Sequence, residues 1–562
     1  LMEFKTKKDI IYRINRDTVC TYEMDDTPPF EINDQALDIS IEVGLLLGST
    51  IVDELHIARK QYLDGSIPTG FQRTAIVSVG GKIPFKDREI RIIQMSIEED
   101  SCREFADNGH TRIYLTDRLG MPLIETVTYP DMKTPQEVAE VNDILRRLVR
   151  STGKVRTGIG ASRQDVNVSV RGGTRIEIKG VSKIKHIPLL TYNEAMRQWN
   201  LLRLREELKR RGITEKTFKS KIDDITHLLK NTDYQPIKKA LSAGHVAKCV
   251  TLKGFKGLLN WQTQTDTFFS KEISDRVRVI ACLDQMPNII NSDSYENTLS
   301  TAEGQKIRKY VGCSDNDTLV IVWGSQQDSD TASKEIVIRA KEATIGVPSE
   351  TRQALKDGTN GFERILPGPD RMYPDTDLPP KKILDERKEK IRKQLPVYFW
   401  DYEKEFSKMK VPTDVLRPLT DSKYPALFKK MVNTWKINPV FASVVMIRFV
   451  KHLKRMNYDT SALTVDVMEK IFSAFKDKKI IREGVFYAIK MTAKEGKFKK
   501  EFLLAPAKKT DIDNEIENAK KLYKKMKIFN PDKKNDILIG LVMKKLEGRA
   551  SGEYVAKKIN GK

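Results

Sequence analysis

The sequence predicts a multidomain α+β protein, and three observations carry that expectation. Its 562 residues exceed what one hydrophobic core supports. Short stretches such as Gln164–Lys179 and Ile90–Ile97 alternate polar with apolar residues, the period of half-buried strands. From 381 to 505 helical stretches take over, punctuated by Pro396, Pro412, Pro418, Pro425 and Pro439. Hydrophobic residues make up 39%, enough for packed interiors. No apolar run approaches membrane-spanning length, and Leu1–Lys8 has no signal-peptide core. The five cysteines (Cys20, Cys102, Cys249, Cys282, Cys313) are scattered without metal-ligand spacing, and the six histidines are equally dispersed. A reduced, cytoplasmic protein without a self-contained zinc knuckle is expected. The chain opens on Leu1 rather than Met, which predicts that this sequence begins downstream of the initiator.

Net charge is +22, and its distribution says more than its size. Residues 381–562 carry 44 Lys and Arg against 23 Asp and Glu, whereas residues 1–380 carry 55 against 54. A field of that sign confined to one third of the chain attracts polyanions, nucleic acid first among them. A uniformly Lys-rich composition would have made the first 380 residues basic as well.

Taken in order, Ile10–Ile14 reads as a strand. Asn33 and Asp34 open a helix through Leu37, Ile41, Leu45 and Leu46 that stops at Gly48. His56–Thr74, rich in Gly, Ser and Pro, reads as a loop between strands where backbone approaches a ligand. Arg59 and Lys60 would hold phosphate from its edge, although a plain surface turn fits two cations beside glycines equally well. Ile90–Ile97 ends in Glu98-Glu99-Asp100, adjacent carboxylates that suit Mg²⁺ or simply hydrate. Arg112–Glu125 reads as strand, turn, strand. Thr134-Pro135-Gln136-Glu137 starts a helix with a capping box, Val138, Val141, Leu145 and Leu148 forming its buried stripe and Arg146, Arg147 and Arg150 its wet side. A long helix follows from Asn193 to Gly212. Asp317–Trp323 and Glu335–Arg339 read as further strands among helices.

Gln164–Lys179 is the stretch around which the rest is organised. A two-residue loop at Gly172-Gly173 would set Val166, Val168 and Val170 on the face opposite Ile176 and Ile178. A three-residue loop, Gly172–Thr174, aligns them, because sliding a strand by one residue swaps its faces. In that register Asn167 faces Lys179, Ser169 faces Glu177 and Arg171 faces Arg175, with Asp165 ending the row. Such a row is either a solvated outer face or the seat of a charged ligand.

Several ordered motifs now carry a resemblance: Arg59-Lys60-Gln61, Asp64-Gly65-Ser66, Gly70-Phe71-Gln72-Arg73-Thr74, Glu98-Glu99-Asp100, Asp117-Arg118-Leu119-Gly120-Met121-Pro122-Leu123, Arg163–Ser169 and Arg175–Val181. In this succession they resemble the GatB/GatE family of tRNA-dependent amidotransferases. Leu366–Pro380 is similar to the family signature where the chain rejoins its first domain. The resemblance implies a cradle catalytic domain on an antiparallel sheet at 1–246, an inserted aspartyl-tRNA-synthetase-like (GAD) α/β domain at 247–368, a return to the cradle at 369–384, an all-α helical domain at 385–505 and a small YqeY-like helical tail at 506–562. The inserted domain and Phe71–Thr74 point to the archaeal GatE branch. The family opens with a Gly-Leu-Glu-Ile-His stretch at its metal and ATP site that has no match here, which fits a missing upstream segment; a true start at Leu1 would put catalytic competence in doubt.

The family's reaction converts glutamate misacylated on tRNA(Gln) to glutamine: ATP phosphorylates the side-chain carboxylate and ammonia displaces the phosphate. By resemblance the catalytic residues are Lys60, Glu99 and Asp165 with Glu177 and Lys179; Lys60, Gln72, Arg118, Asn167, Ser169 and Arg171 bind ATP or substrate; Glu98, Glu99 and Asp165 hold Mg²⁺. Glu125 and Arg175 read as structural partners in the sheet. No glutaminase nucleophile is evident, so the implied ammonia source is an asparaginase-like partner (GatD), in a heterotetramer of two GatD and two GatE chains that binds tRNA(Gln) through the basic C-terminal third and no membrane. Two rivals are a GatB-type protein also acting on Asp-tRNA(Asn) and a non-catalytic tRNA-binding scaffold.

Overall fold

An antiparallel sheet of seven strands forms the base on which the other elements of the N-terminal unit are placed. Pro122–Thr128, Arg88–Glu99, Phe71–Val79, Ile57–Gln61 and Met372–Pro374 are consecutive neighbours, with Thr50–Ile51 and Lys82–Phe85 attached at its side. The computed structural model of the chain describes residues 8–158, 160–294, 298–365, 371–526 and 533–561. Of the expected signature Leu366–Pro380, residues 366–370 lie outside the described residues, as do 1–7 and, in the tail, 527–532. The architecture is mixed α+β, divided into residues 1–395 and 396–562.

In the first unit, Asn33 caps the helix Asp34–Leu46, its side chain accepting from Ala36 N at 2.9 Å. Leu37, Ile41, Leu45 and Leu46 are buried as their spacing predicts. Gly44 lets this helix close on the sheet, since a Cβ there would stand 2.8 Å from Ile51 Cδ1. His56–Thr74 is not one loop: Ile57–Gln61 and Phe71–Val79 are paired strands, and only the stretch between them turns. Thr134 caps Pro135–Ser151 by accepting from Glu137 N at 3.2 Å, but Glu137 bonds Lys133 N and Arg88 instead of closing the expected box. Arg147, expected on the wet side, is buried.

The organising hairpin forms, as strands Gln164–Val168 and Ile176–Val181. Val166, Val168, Ile176 and Ile178 all point inward, so the predicted faces hold. The register is displaced by two residues from the expected one: Asn167 faces Glu177 and Val168 faces Ile176, and the reversal takes residues 169–175 rather than three. Buried Gln198, on the helix Ile187–Arg210, fixes that longer loop by donating to Val168 O at 3.0 Å and accepting from Val170 N at 3.2 Å. Ile176–Val181 pairs onward with Glu350–Ala354, and that strand with Asn360–Ile365.

A second four-stranded sheet runs Ser220–Asp224, Val246–Leu252, Thr318–Gly324, Ile289–Asn291. Helices Phe269–Ile280 and Gln326–Glu342 cover one side, through Val250, Val320, Val322, Ile273, Val277 and Ile336. Glu335–Arg339, expected as a strand, is the middle of the second of these helices. This sheet starts upstream of residue 247, and Glu350–Ile365 belongs to the hairpin's sheet. Between them lies a fully buried ion cluster. Arg197 donates to Glu272 at 2.8 and 2.9 Å, Arg352 and Arg339 reach the same carboxylate at 3.1 and 3.2 Å, and Glu350 joins Arg197 to Arg352.

The second unit is helical. Phe406, Phe428, Phe441, Phe472, Val485 and Ile489 lie in its main core. Pro412, Pro425 and Pro439 mark helix starts, whereas Pro418 lies inside Thr413–Thr420. Lys509–Tyr523, Lys534–Lys545 and Gly552–Asn560 pack around Ile512, Ile516, Leu538, Val542 and Val555. Among the described residues no helix is long and apolar enough to cross a membrane.

Candidate active site

One face of the central sheet gathers polar side chains by register alone. Lys60 lies opposite Gln72, Thr74 opposite Glu98 and Ser96 opposite Glu125, and directly opposed residues share a face. Thr74 Oγ1 donates to Glu98 Oε1 at 3.0 Å, Lys60 Nζ stands 3.9 Å from the same oxygen, and Ser96 Oγ donates to Glu125 Oε2 at 3.5 Å. Gln72 donates to the Glu99 carbonyl, which leaves its own Oε1 buried and unpartnered.

The hairpin supplies the other side. Lys179 Nζ bonds Glu177 Oε1 at 2.6 Å and Asp165 Oδ2 at 3.0 Å, and Gly180 N donates to Asp165 Oδ1 at 3.2 Å. The register that pairs Val166 with Ile178 continues to Asp165 beside Lys179, and the extra residue of a bulge at Lys179-Gly180 brings the Gly180 N–H onto the same carboxylate. Burial works against the Lys179 charge, yet Asp165 and Glu177 outweigh it and hold the ammonium above its ordinary range. Burial likewise opposes ionised Asp165, and Lys179 overcomes it and keeps that carboxyl below its ordinary range.

Glu125 links the two sides. Loss of surrounding water lifts its carboxyl, Glu98 lifts it further, Lys60 offsets part of this, and Asp165 and Lys179 act with opposite signs, giving about 7. The side chain still meets solvent, which screens part of the lift. Sensing Glu98 and Lys60 together with Asp165 and Lys179 places Glu125 where the charged faces of sheet and hairpin meet. Glu363 feels Lys179, Asp165 and Glu177; burial raises its carboxyl, and its Oε2 is buried without a hydrogen bond. Beside it Arg364 pairs with Asp64 at 3.1 Å.

Glu99 lies elsewhere. Successive strand residues point to opposite faces, so Glu98 and Glu99 leave the sheet on opposite sides. Glu99 accepts from Tyr22 OH at 3.0 Å and stands 3.4 Å from Arg73 Nη1. On that side the fully buried Asp375 carboxylate accepts from Arg59 Nε at 3.0 Å and Arg73 Nε at 3.1 Å, which ties the Arg371–Pro380 stretch to the sheet. The expected Mg²⁺ set Glu98, Glu99 and Asp165 is therefore not brought together. Among the described residues no three His, Cys, Asp or Glu side chains gather as a metal site. Arg118 pairs with Asp100 at 3.7 Å, and Arg163 reaches the same carboxylate at 3.2 Å. Asn167 faces Glu177 at the edge of the cluster, while Ser169 and Arg171 fall in the loop beyond it. Lys60, Gln72, Glu98, Asp165, Glu177 and Lys179 are thus the expected residues that the fold assembles. Glu125, taken as a sheet partner, belongs with them; its same-face spacing from Leu123, which faces Glu98, is the signal that would have found it.

Residues 8–389 match the GatB/GatE catalytic domain. The chain belongs to the GatB/GatE family. Among the relatives of this GatB/GatE chain is the E-type component of the glutamyl-tRNA(Gln) amidotransferase of Sulfurisphaera tokodaii, 36% identical over all of this chain and 90% of the relative. Its counterparts in Methanocaldococcus jannaschii, 35% identical over 99% of this chain and 89% of the relative, and Saccharolobus solfataricus, 34% identical over 100% and 89%, are similar in the same way. The GatB/GatE match spans the central sheet, the hairpin and the sheet between Ser220 and Gly324, so the polar cluster lies wholly inside the matched region.

Proposed function

We propose that this chain is the E-type component of a glutamyl-tRNA(Gln) amidotransferase, in which the Glu98–Glu125–Lys179 cluster converts the glutamate of Glu-tRNA(Gln) to glutamine. The observation that carries the reading is Glu125, whose carboxyl lies within electrostatic reach of Glu98 and Lys60 of the central sheet and of Asp165 and Lys179 of the hairpin. The reaction needs charge neutralisation and alignment rather than a protein nucleophile. ATP supplies the phosphoryl group. Lys60 and Lys179 balance charge on the phosphoryl oxygens, with Asp165 and Glu177 fixing the Lys179 ammonium in place. Gln72, whose Oε1 lacks a partner, accepts a hydrogen bond from the substrate.

In the second step ammonia attacks the γ-glutamyl phosphate carbonyl, the nitrogen loses a proton and phosphate departs. A carboxylate titrating near neutrality takes that proton efficiently, a role that falls to Glu125. Because Glu98 and Glu99 diverge and no metal set is complete among the described residues, no step here runs through Mg²⁺. Ammonia from a D-type partner and tRNA held by the basic C-terminal unit complete the reading, in the cytoplasm.

The test is formation of glutaminyl-tRNA from Glu-tRNA(Gln), ATP and an ammonium salt. Asp165→Ala removes one of the two carboxylates that hold the Lys179 ammonium, leaving it to Glu177 alone, and is expected to slow product formation by about 100-fold or more, the scale of a lost transition-state contact. Full-rate product from that variant would overturn the assignment.

A further inference from the structure

The hairpin loop that carries Arg171 away from the charged cluster delivers it to a second feature. Arg171, Trp199, Arg203, Arg205, Arg210 and Trp261 line an open groove of about 510 Å³ along the helix Ile187–Arg210. Two of the five tryptophans in the chain meet here. Trp199 is 53% exposed, a large apolar ring left in water in the middle of a helix whose other face is buried. Arg203 stands over the Trp261 ring at 5.8 Å, and Trp261 is itself held by donating to Asn200 O at 3.0 Å.

Charge in the groove is unbalanced. Arg205 pairs with Glu206 at 3.0 Å and Arg210 with Glu207 at 2.8 Å. Arg171 and Arg203 make no ion pair among the described residues, so two guanidinium groups face the groove without a carboxylate. The loop bearing Arg171 is not free to swing to an acid elsewhere. Gln198 bonds it twice, and a Cβ on Gly173 would meet the Gln198 Oε1, which holds the loop against the helix.

We propose that this groove takes an unpaired RNA strand, a base stacking on Trp199 while Arg171 and Arg203 receive the flanking phosphates. Exposed aromatic rings interleaved with unpaired arginines are what single-stranded nucleic acid requires, because every unpaired base offers a flat face and every linkage a negative charge. A duplex hides its base faces and would leave Trp199 unused. A protein segment would need apolar surface beyond the two rings, and apart from Gly172 and the largely buried Leu202 the rest of the lining is charged. The groove sits at the loop end of the hairpin whose strands bear Asp165 and Lys179. Asp165 and Arg171 are six residues apart, at most about 20 Å of extended chain, so RNA held here lies within that distance of the charged cluster. The proposal rests on the amidation reading only in taking RNA as the carrier of the reacting group.

The experiment uses the full chain without ATP and measures fluorescence anisotropy of an RNA hairpin with a short single-stranded 3′ tail against the same hairpin with a blunt end. The wild-type chain is expected to bind the tailed RNA about tenfold more tightly. Trp199→Ala and Arg203→Ala should each remove most of that advantage, and Trp199→Phe should restore most of it. Both residues lie at the surface, so folding is not at stake. Equal wild-type affinity for tailed and blunt RNA, or an undiminished tail advantage in the Trp199→Ala, Arg203→Ala double variant, would overturn the proposal. Failure of the amidation reading appears separately, as no glutaminyl-tRNA formed by the wild-type chain with ATP and ammonia.

Discussion

Glu125 makes a prediction that the pH dependence of the reaction can decide. Its carboxyl titrates near 7 against an ordinary value of 4.5. A base must be ionised to accept a proton, so lowering pH through its pKa removes activity. With a pKa of about 7, roughly one group in eleven is ionised at about pH 6 and ten in eleven at about pH 8, an activity ratio of about ten. An unperturbed carboxyl would be ionised throughout and give a flat profile. Part of the lift comes from Glu98, a diagonal neighbour across the strand pair, hence about 7 to 8 Å away. At an effective dielectric constant of about 20 to 40 that charge contributes roughly 1 to 2 kcal/mol, about one pH unit. Glu98→Gln should therefore move the rising limb down by about one unit, while Glu125→Gln should abolish it. The assay is initial-rate glutaminyl-tRNA synthesis with total ammonium adjusted so that free ammonia stays constant. A wild-type profile flat between those pH values, or a limb retained in Glu125→Gln, would refute the role given to this residue.

Two further outcomes are expected. Asp375→Asn takes the shared acceptor from Arg59 and Arg73, which keep Asp377 and Glu99 as partners, and should cost about 2 to 3 kcal/mol at neutral pH. Burial opposes ionised Asp375 but Arg59 and the backbone donors hold its pKa below the ordinary value, so this stabilisation is present above the unfolded pKa and lost as pH falls through the folded one. Urea unfolding should show the wild type and the variant converging in acid; a constant gap would contradict the pairing. In the C-terminal unit, Lys544→Glu with Lys545→Glu reverses two exposed charges at a helix end and should weaken tRNA binding and flatten its salt dependence, leaving ATP-site chemistry intact. Unchanged affinity would count against a tRNA-binding role for that unit.

What could be read in advance follows from period and parity. Alternation in Gln164–Lys179 told which residues face inward, and a register error of two residues left that intact because side chains repeat every two. The loop length was hidden, because it is set by Gln198, 30 residues beyond the Val168 carbonyl it holds. His56–Thr74 hid two strands because both sheet faces there carry polar groups, Lys60 and Gln72 on one and Arg59 and Arg73 on the other, so the apolar half of the alternation is missing. Glu335–Arg339 suggested a strand through its β-branched run, yet Ser325 caps a helix ahead of it and Ile336 is needed in the core. The parity of Glu98 and Glu99 was legible and outweighs their adjacency: neighbours in a strand cannot serve one ion from one face.

The buried Arg197–Glu272–Glu350–Arg352 cluster constrains how this architecture can be altered. Arg197 comes from the helix that steadies the hairpin loop, Glu272 from the segment lying between the hairpin and its partner strands, and Glu350 and Arg352 from those strands themselves. Glu194, on the same helix as Arg197, bonds that guanidinium at 3.2 Å, and Arg339 comes from the same segment as Glu272. Removing residues 213–349 would therefore take one cation and one anion together and leave Arg197 and Arg352 matched by Glu194 and Glu350. The segment is thus bound into its host by links whose loss leaves charge balanced, and what its removal must repair is the space around Arg197 and Arg352 that Glu272 fills.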